Sequence, residues 1–320
     1  MTQLAAAVKA CRTENMLLVD AGDTIQDNAA DIFIHDESPH PMVAAINAIG
    51  YDVWAVGNHE FNYGMDVVKK TIADMRAKVL CGNVYDESGA PLADGYALFD
   101  VGGVRVAVIG MVTLNIARTD ADNLRDCTVT DPLAETRAVI DRLDGQYDVL
   151  VGVFHMGVDD EYGVPDSGVA DILDACPEFD VMVSSHEHRL IEGETLGGAL
   201  VVQNKNQAQT MSVIDVTLER QGEGWRVTDK ASQSVSIADY DPDPQITALL
   251  EPWHLRALAD AETVIGRLEG GPLAPQSAED GAPAALLQDT ALIDLIKMTT
   301  SFMASGTSSS PCASSISVMA

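Results

Sequence analysis

Along the first half of the chain, short apolar runs rich in Val, Ile and Leu alternate with stretches whose apolar residues recur every three or four positions. The first pattern fits buried strands, and the second fits helices packed on them by one face. Met16–Asp20 (MLLVD) predicts a strand, followed by the loop AGD. Pro41–Ile49 predicts a helix, with Pro at its start and Gly50 as its stop. Asp52–Val56 (DVWAV) predicts a strand ending in GNHE, Met65–Lys78 a helix, and Lys78–Leu80 a short strand before Gly82. Tyr96–Val101 and Val104–Met111 flank Gly102 and Gly103, a two-residue hairpin signal. Thr130–Leu143 predicts a helix, Val149–Phe154 a strand ending at His155, Val169–Ala175 a helix, and Val181–Ser184 a strand ending at SHEH.

This strand–helix–strand rhythm is that of a layered α/β domain. From Ala199 to about Ile237 the pattern is strand-rich and predicts a second sheet, and Pro244 to Leu268 reads as one helix or two. Residues 1–268 therefore read as one large domain. Residues 269–284, rich in Gly, Pro and Ala, read as a linker. Residues 285–298 (ALLQDTALIDLIKM) predict a helix, and the Ser-rich 299–320 shows neither period, so a disordered tail is expected there.

Apolar residues make up 47% of the 320, enough for a packed core. The formal net charge of −30 argues against a nucleic-acid polymer or an anionic membrane as partner, since both are held by clustered Lys and Arg. Small phosphorylated molecules remain compatible with it if bound cations supply the attraction. No apolar run is long enough to span a membrane, and the start MTQLAAAVKACRTEN lacks the pattern of a signal peptide. Five widely spaced cysteines without C-x-x-C predict neither a disulfide framework nor a thiolate zinc site.

The polar residues that stand out all follow predicted strands: Asp23 in AGD, Asn58 and His59 in GNHE, His155 in FHMG, and His186 and His188 in SHEH. Strand ends of an α/β sheet form its ligand crevice. Alone, each motif is a turn, a cap or a core histidine. Together they bring hard oxygen donors and imidazole nitrogens, a mixture suited to divalent Mn, Zn, Fe or Co. Hydrolysis of a phosphate ester needs that mixture: cations neutralise developing charge on the phosphoryl oxygens, and a histidine that is not a ligand protonates the leaving oxygen.

The order GD, GNHE, H, HxH is similar to the calcineurin-like metallophosphoesterase signature. LLVDAGDTIQ, HPMVAAINAIGYDVWAVGNHEFNYGMD, RVAVIGMVT and VLVGVFHMGVD resemble its 5′-nucleotidase and 2′,3′-cyclic-nucleotide 2′-phosphodiesterase branch, over a span from the first residues to about residue 298. The resemblance implies a four-layer α/β/β/α sandwich, two divalent metal ions, and hydrolysis of small nucleotides in an extracytoplasmic setting. It makes Asp23 the metal-bridging carboxylate and Asn58, His155 and His186 the rest of one ion's shell. It makes His188 a ligand of the other ion and His59 the residue facing the phosphate. NHEFN stands where many 5′-nucleotidases have NHEFD, and Asn62 is no carboxylate partner for His59. NHEFNYG leans instead toward the cyclic-phosphodiesterase/3′-nucleotidase subgroup.

Three departures qualify the expectation. The family begins with a strand ending in D-x-H that ligates the first metal, and no Asp-x-His precedes Asp23; Asp36 lies near His35 and His40, but out of order. A sandwich lacking its first strand, an impaired first metal site, and self-association through the unpaired edge beside Met16–Asp20 are therefore expected. Ser185 replaces the usual Gly before His186 and is expected to restrict the backbone there. The likeness to a base-binding C-terminal domain covers only LLQDTALIDLI, as if truncated. The alternative to an enzyme is a catalytically impaired fragment that binds at most one metal ion.

Overall fold

The computed structural model describes residues 1–264, except residues 27, 165 and 166 and the side chain of Tyr162. The expected linker, the helix over 285–298 and the tail lie outside the described residues. The chain opens with α1 (Thr2–Cys11), β1 (Val19–Asp20), α2 (Pro41–Ile49), β2 (Val53–Ala55), α3 (Met65–Asp74), β3 (Lys78–Leu80) and β4 (Val84–Tyr85). It continues with β5 (Tyr96–Val101), β6 (Val104–Val112), α4 (Ile116–Thr119), β7 (Thr128–Val129), α5 (Pro132–Arg142) and β8 (Val149–His155). Then follow α6 (Val169–Ala175), β9 (Val181–Ser184), β10 (Ile191–Leu196), β11 (Ala199–Gln203), β12 (Thr210–Gln221), β13 (Gly224–Ser236) and α7 (Pro244–Ala261).

Local chemistry explains most of these bounds. Helix α2 has Pro41 in its first turn, His40 Nδ1 accepting from Met42 N at 3.3 Å, and a left-handed Gly50 closing it. Helix α5 starts on Asp131, whose side chain accepts from Leu133 N. Helix α3 stops at Asp74, four residues before its predicted end at Lys78. Asn47 of α2 donates to Asp74 O at 2.8 Å and accepts from Arg76 N at 2.7 Å, so a tertiary contact turns the chain out of the helix. Strand β1 is likewise shorter than MLLVD, because Asp52 Oδ2 takes the Leu18 N–H.

Two sheets carry the site. The smaller has the order β1-β2-β3, parallel throughout, and the larger has the order β10-β11-β9-β8-β6-β5. In the larger, β6, β8, β9 and β11 run parallel, while β5 and β10 close its edges antiparallel. The second sheet expected from Ala199–Ile237 forms differently. Strand β11 joins the larger sheet, and β12 and β13 make a two-stranded ribbon of their own. Val53, Ala55 and Leu80 of the small sheet pack with Ala97, Val106, Val108, Val149 and Val153 of the large one. Trp54 and Val56 pack outward on Val43, Ile46 and Val68 of α2 and α3. Ile109, Phe154 and Met182 pack with Val139 and Ile140 of α5 and Ile172 and Leu173 of α6. These clusters place helices outside and sheets inside, which requires strands buried on both faces. Met1–Glu262 forms one compact unit. Among the described cysteines, Cys11, Cys81, Cys127 and Cys176 are free, and Cys81 and Cys176 are buried in the core.

Asp148 pins β6, the start of β8 and the β12–β13 ribbon together. Its carboxylate accepts from Arg105 N at 3.0 Å, Arg105 Nε at 3.1 Å, Arg105 Nη2 at 2.8 Å and Trp225 N at 3.2 Å. The Arg105 hydrogen bond, before any other influence, holds this carboxyl down at about 2. Asp148→Ala is expected to cost about 2 kcal/mol at pH 7 in urea unfolding, the range for charge-assisted bonds with a half-exposed partner. A depressed folded-state pKa stabilises above the unfolded value and loses its effect as pH falls through the folded one. The gap between wild type and variant should therefore shrink from about pH 4 to about pH 2.

Candidate metal centre

The site lies where the two sheets end side by side. Strands β1 and β2 of the small sheet run into AGD and GNHE, and β8 and β9 of the large sheet run into His155 and SHEH. The first two loops are pressed together at glycines. Gly22 has φ +90°, and a Cβ on it would strike the backbone of Gly57; a Cβ on Gly57 would strike the Asp23 carboxylate. Asp23, His186 and His188 adopt the left-handed region, with φ of +58°, +76° and +58°. Non-glycine residues there are uncommon and concentrate at functional sites. Ser185 is not among the left-handed residues of this turn, so its Cβ does not restrict the loop as expected; the unusual backbone falls on the histidines themselves.

Four predicted residues converge on one point. Asn58 Oδ1 lies 2.9 Å from His155 Nε2 and 2.8 Å from His186 Nδ1. Asp23 Oδ2 lies 3.0 Å from His155 Nε2. Asp23, His155 and His186 each offer a ligand atom within 4.8 Å of the others. The Nδ1–H of His155 donates to Ala21 O at 2.6 Å, which turns Nε2 toward the cluster. His59 sits at the rim, its Nε2 4.0 Å from Asp23 Oδ2 and its backbone N–H donating to Asp23 Oδ1 at 2.9 Å. His188 is exposed and stays outside this group. His40, noted in sequence beside Asp36, caps α2 and bonds Ala30 O at 2.9 Å, a structural role.

Charge is concentrated and buried here. Burial works to raise the Asp23 carboxyl, but the charge and hydrogen bond of His155 and the His59 backbone N–H hold it at about 2. Burial works to lower His155, yet Asp23 and the Ala21 carbonyl carry it up to about 9. Burial, then the charge of His155, push His186 down, which favours the neutral form that binds metals. Asp20, half-buried at the end of β1, is raised to about 6, chiefly by desolvation of its carboxyl.

The most consequential residue that sequence reading left without a role is Glu60. It is wholly buried and accepts from the backbone N–H of Asp23 at 2.9 Å, Thr24 at 2.6 Å, Ile25 at 3.3 Å and Gly57 at 2.7 Å. One carboxylate thus clamps AGD to GNHE; its presence in the GNHE motif was the signal for it. Burial, then the charge of Asp23, push Glu60 up to about 7, while the backbone N–H groups pull the other way. Glu161 is a second buried carboxylate without a sequence signal. It accepts from Thr113 Oγ1, from Asn115 Nδ2 at 2.8 Å and from Gly157 N at 2.6 Å, and lies 4.0 Å from His186 Nε2. A carboxylate behind a ligating imidazole orients the ring.

The donor set fits a divalent cation: one carboxylate oxygen, one amide oxygen and two imidazole nitrogens converge, with both histidines backed by further acceptors. Residues 4–202 match the protein-family model described as "Bacterial capsule synthesis protein PGA_cap". The chain is 28% identical over 292 residues to the trifunctional nucleotide phosphoesterase protein YfkN of Bacillus subtilis (strain 168), covering 80% of this chain and 20% of that protein. It is 26% identical over 272 residues to the 2′,3′-cyclic-nucleotide 2′-phosphodiesterase/3′-nucleotidase of Yersinia enterocolitica, covering 75% of this chain and 42% of that protein. The chain thus spans less than half the length of these curated relatives. A crystal structure of the calcineurin-like phosphoesterase YfkN from Bacillus subtilis superposes with a TM-score of 0.74 at 26% identity, covering 82% of this chain and 90% of that one. The chain belongs to the PGA_cap family, and it resembles the 5′-nucleotidase/2′,3′-cyclic-nucleotide 2′-phosphodiesterase branch of the calcineurin-like metallophosphoesterases.

Proposed function

We propose that this chain hydrolyses phosphoester bonds of small nucleotides with a divalent cation held by Asp23, Asn58, His155 and His186. The observation that carries the reading is the convergence of Asn58 Oδ1, Asp23 Oδ2, His155 Nε2 and His186 Nδ1 from the ends of two sheets. A cation there supplies positive charge against the phosphoryl oxygens, with Mn or Zn suited to the donors. The protein's own groups do the rest. Asp23 would present one carboxylate oxygen to the cation while its other oxygen is held by the His59 N–H, and His188 would serve a second ion. His59, at the rim, faces the phosphate and gives a proton to the leaving oxygen. Residues 1–268 form the catalytic domain in this proposal, and its setting is extracytoplasmic.

The names of the relatives and the NHEFNYG stretch support the cyclic-phosphodiesterase/3′-nucleotidase form over the 5′-nucleotidase form. A second reading, a protein that binds one cation and turns nothing over, is favoured by one observation: His188 is exposed and outside the cluster. Phosphate release from 2′,3′-cyclic AMP, 3′-AMP and 5′-AMP with added Mn²⁺ separates the two. The cyclic substrate is assayed with excess phosphatase to expose ring opening. We expect turnover of the first two, lowered about 100-fold or more in His59→Ala, the range for a general acid. No turnover from folded protein would leave the one-cation reading standing.

A further inference from the structure

The sequence shows an amide, Asn62, where a carboxylate would partner His59. The fold provides the carboxylate one step further on. His59 Nδ1 lies 2.7 Å from Asn62 Oδ1, and Asn62 Nδ2 donates to Asp120 Oδ1 at 2.6 Å. Asp120 is buried, and its other oxygen accepts from Thr119 Oγ1 at 2.9 Å. The same turn grips the segment from behind: Asn123 Nδ2 donates to Phe61 O at 2.9 Å and Asn62 O at 3.2 Å. We propose that Asp120 is a positioning residue for His59, acting through the Asn62 amide. This inference rests on the role given to His59 above.

The argument is one of donors and acceptors. A carboxylate accepts and does not donate, so Asp120 forces the Asn62 amide to present its NH₂ to it and its oxygen to His59. The oxygen in turn requires a proton on His59 Nδ1. The proton available for transfer is thereby confined to Nε2, the nitrogen on the Asp23 side of the ring. Hydrolysis of a monoester forms one P–O bond from water and breaks the P–O bond to ribose. The electron pair leaves with the ribose oxygen, which takes its proton from His59 Nε2, and the proton that water sheds restores His59 over the cycle. After transfer the neutral ring carries its remaining hydrogen on Nδ1, the form that Asn62 stabilises. An amide relays orientation without a full charge beside the imidazole, which suits a site already holding Asp23 and Glu60.

The test compares wild type, Asp120→Asn and the double variant Asn62→Asp/Asp120→Asn, all nearly equal in volume. Asparagine at position 120 accepts or donates equally well, so it no longer dictates the Asn62 orientation. The double variant puts the carboxylate directly on His59 with an amide donor behind it. Two readouts are used. The first is the imidazole tautomer from long-range ¹H–¹⁵N spectra of ¹⁵N-histidine protein, with seven histidines in the chain and the His59 signals assigned by their loss in His59→Ala. We expect a dominant Nδ1–H form in wild type, a mixture in Asp120→Asn and recovery in the double variant. The second is kinetics with Mn²⁺. Asp120→Asn should lower kcat for 3′-AMP about 10- to 100-fold, the usual effect of removing an orienting partner, with KM nearly unchanged. p-Nitrophenyl phosphate should be nearly spared, because its leaving group departs without a proton, and the double variant should recover activity on 3′-AMP. A merely structural role would depress both substrates and would not be rescued by the exchange. An unchanged His59 tautomer in Asp120→Asn would overturn this inference alone. Turnover untouched by His59→Ala would overturn the role of His59 and the catalytic use of Asp120 with it. If wild type turns over neither substrate, the tautomer comparison decides by itself.

Discussion

His186→Ala should weaken Mn²⁺ binding at least about 100-fold, since even partners behind the ligands are worth 10- to 100-fold. Titration calorimetry measures this directly. The expectation follows from Nδ1 of His186 lying 2.8 Å from Asn58 Oδ1, inside the group of converging donors. The pH dependence is equally specific. In the metal-free protein His155 is raised to about 9, because Asp23 and the Ala21 carbonyl outweigh the burial that would lower it. A cation at Nε2 takes the place of that proton, so binding should release close to one proton at pH 7. The affinity should then rise about tenfold per pH unit up to about 9 and level off above. The metal-free fold has the opposite slope at the alkaline end. A histidine raised above its unfolded value of 6.5 stabilises fully below that value, and the effect is lost as pH rises through about 9. Asp23, depressed from 3.8 to about 2, contributes above 3.8 and loses its effect as pH falls through about 2. Equal heats of binding in buffers of different ionisation enthalpy, or full affinity in His186→Ala, would remove these residues from the metal site.

Glu60→Ala should destabilise the protein by about 4 kcal/mol or more, a large part of the 5–15 kcal/mol typical of a domain. The substitution leaves buried N–H groups of Asp23, Thr24, Ile25 and Gly57 without their acceptor, and each such group costs about 1–3 kcal/mol before the loops relax. Glu60→Gln should fall between, because its oxygen still accepts while its NH₂ faces donors. Urea unfolding gives the loss of stability, and Mn²⁺ titration of whatever remains folded gives its consequence for the site. Asp23 is held at φ +58° by the clamp, so its carboxylate should lose its aim when the clamp is removed. A variant within 1 kcal/mol of wild type would mean that the two loops are held by other contacts.

Those two expectations differ in how visible their residues were beforehand. His186 was legible because it stands just beyond the end of the strand run Val181–Ser184, as Asp23, Asn58 and His155 stand at or just beyond the ends of theirs. A strand buried on both faces has to be apolar, so a polar residue at its end stands out. Glu60 was in plain view within GNHE but carried no assignment, because three of its four partners are backbone groups of a loop more than thirty residues away. Backbone N–H groups leave no mark in a sequence. Asp120 and Glu161 were invisible for a related reason: each acts across a turn that only the packed sheets bring near, 58 residues from Asn62 and 46 from Asn115. The misjudged end of α3 has the same origin, since Asn47 of another helix terminates it.

The sequence by itself determined the α/β class, the order of the strands that carry the ligands and the donor types they deliver, because periodicity, caps and turn glycines act over a few residues. Tertiary structure alone decided that the four strand ends belong to two sheets rather than one, and that His188 stays out of the cluster. It also decided that buried carboxylates at Glu60, Glu161 and Asp120 hold the ligand loops and the rim histidine in place. Those contacts depend on the register between packed layers, and that register is set by how the two apolar faces fit together.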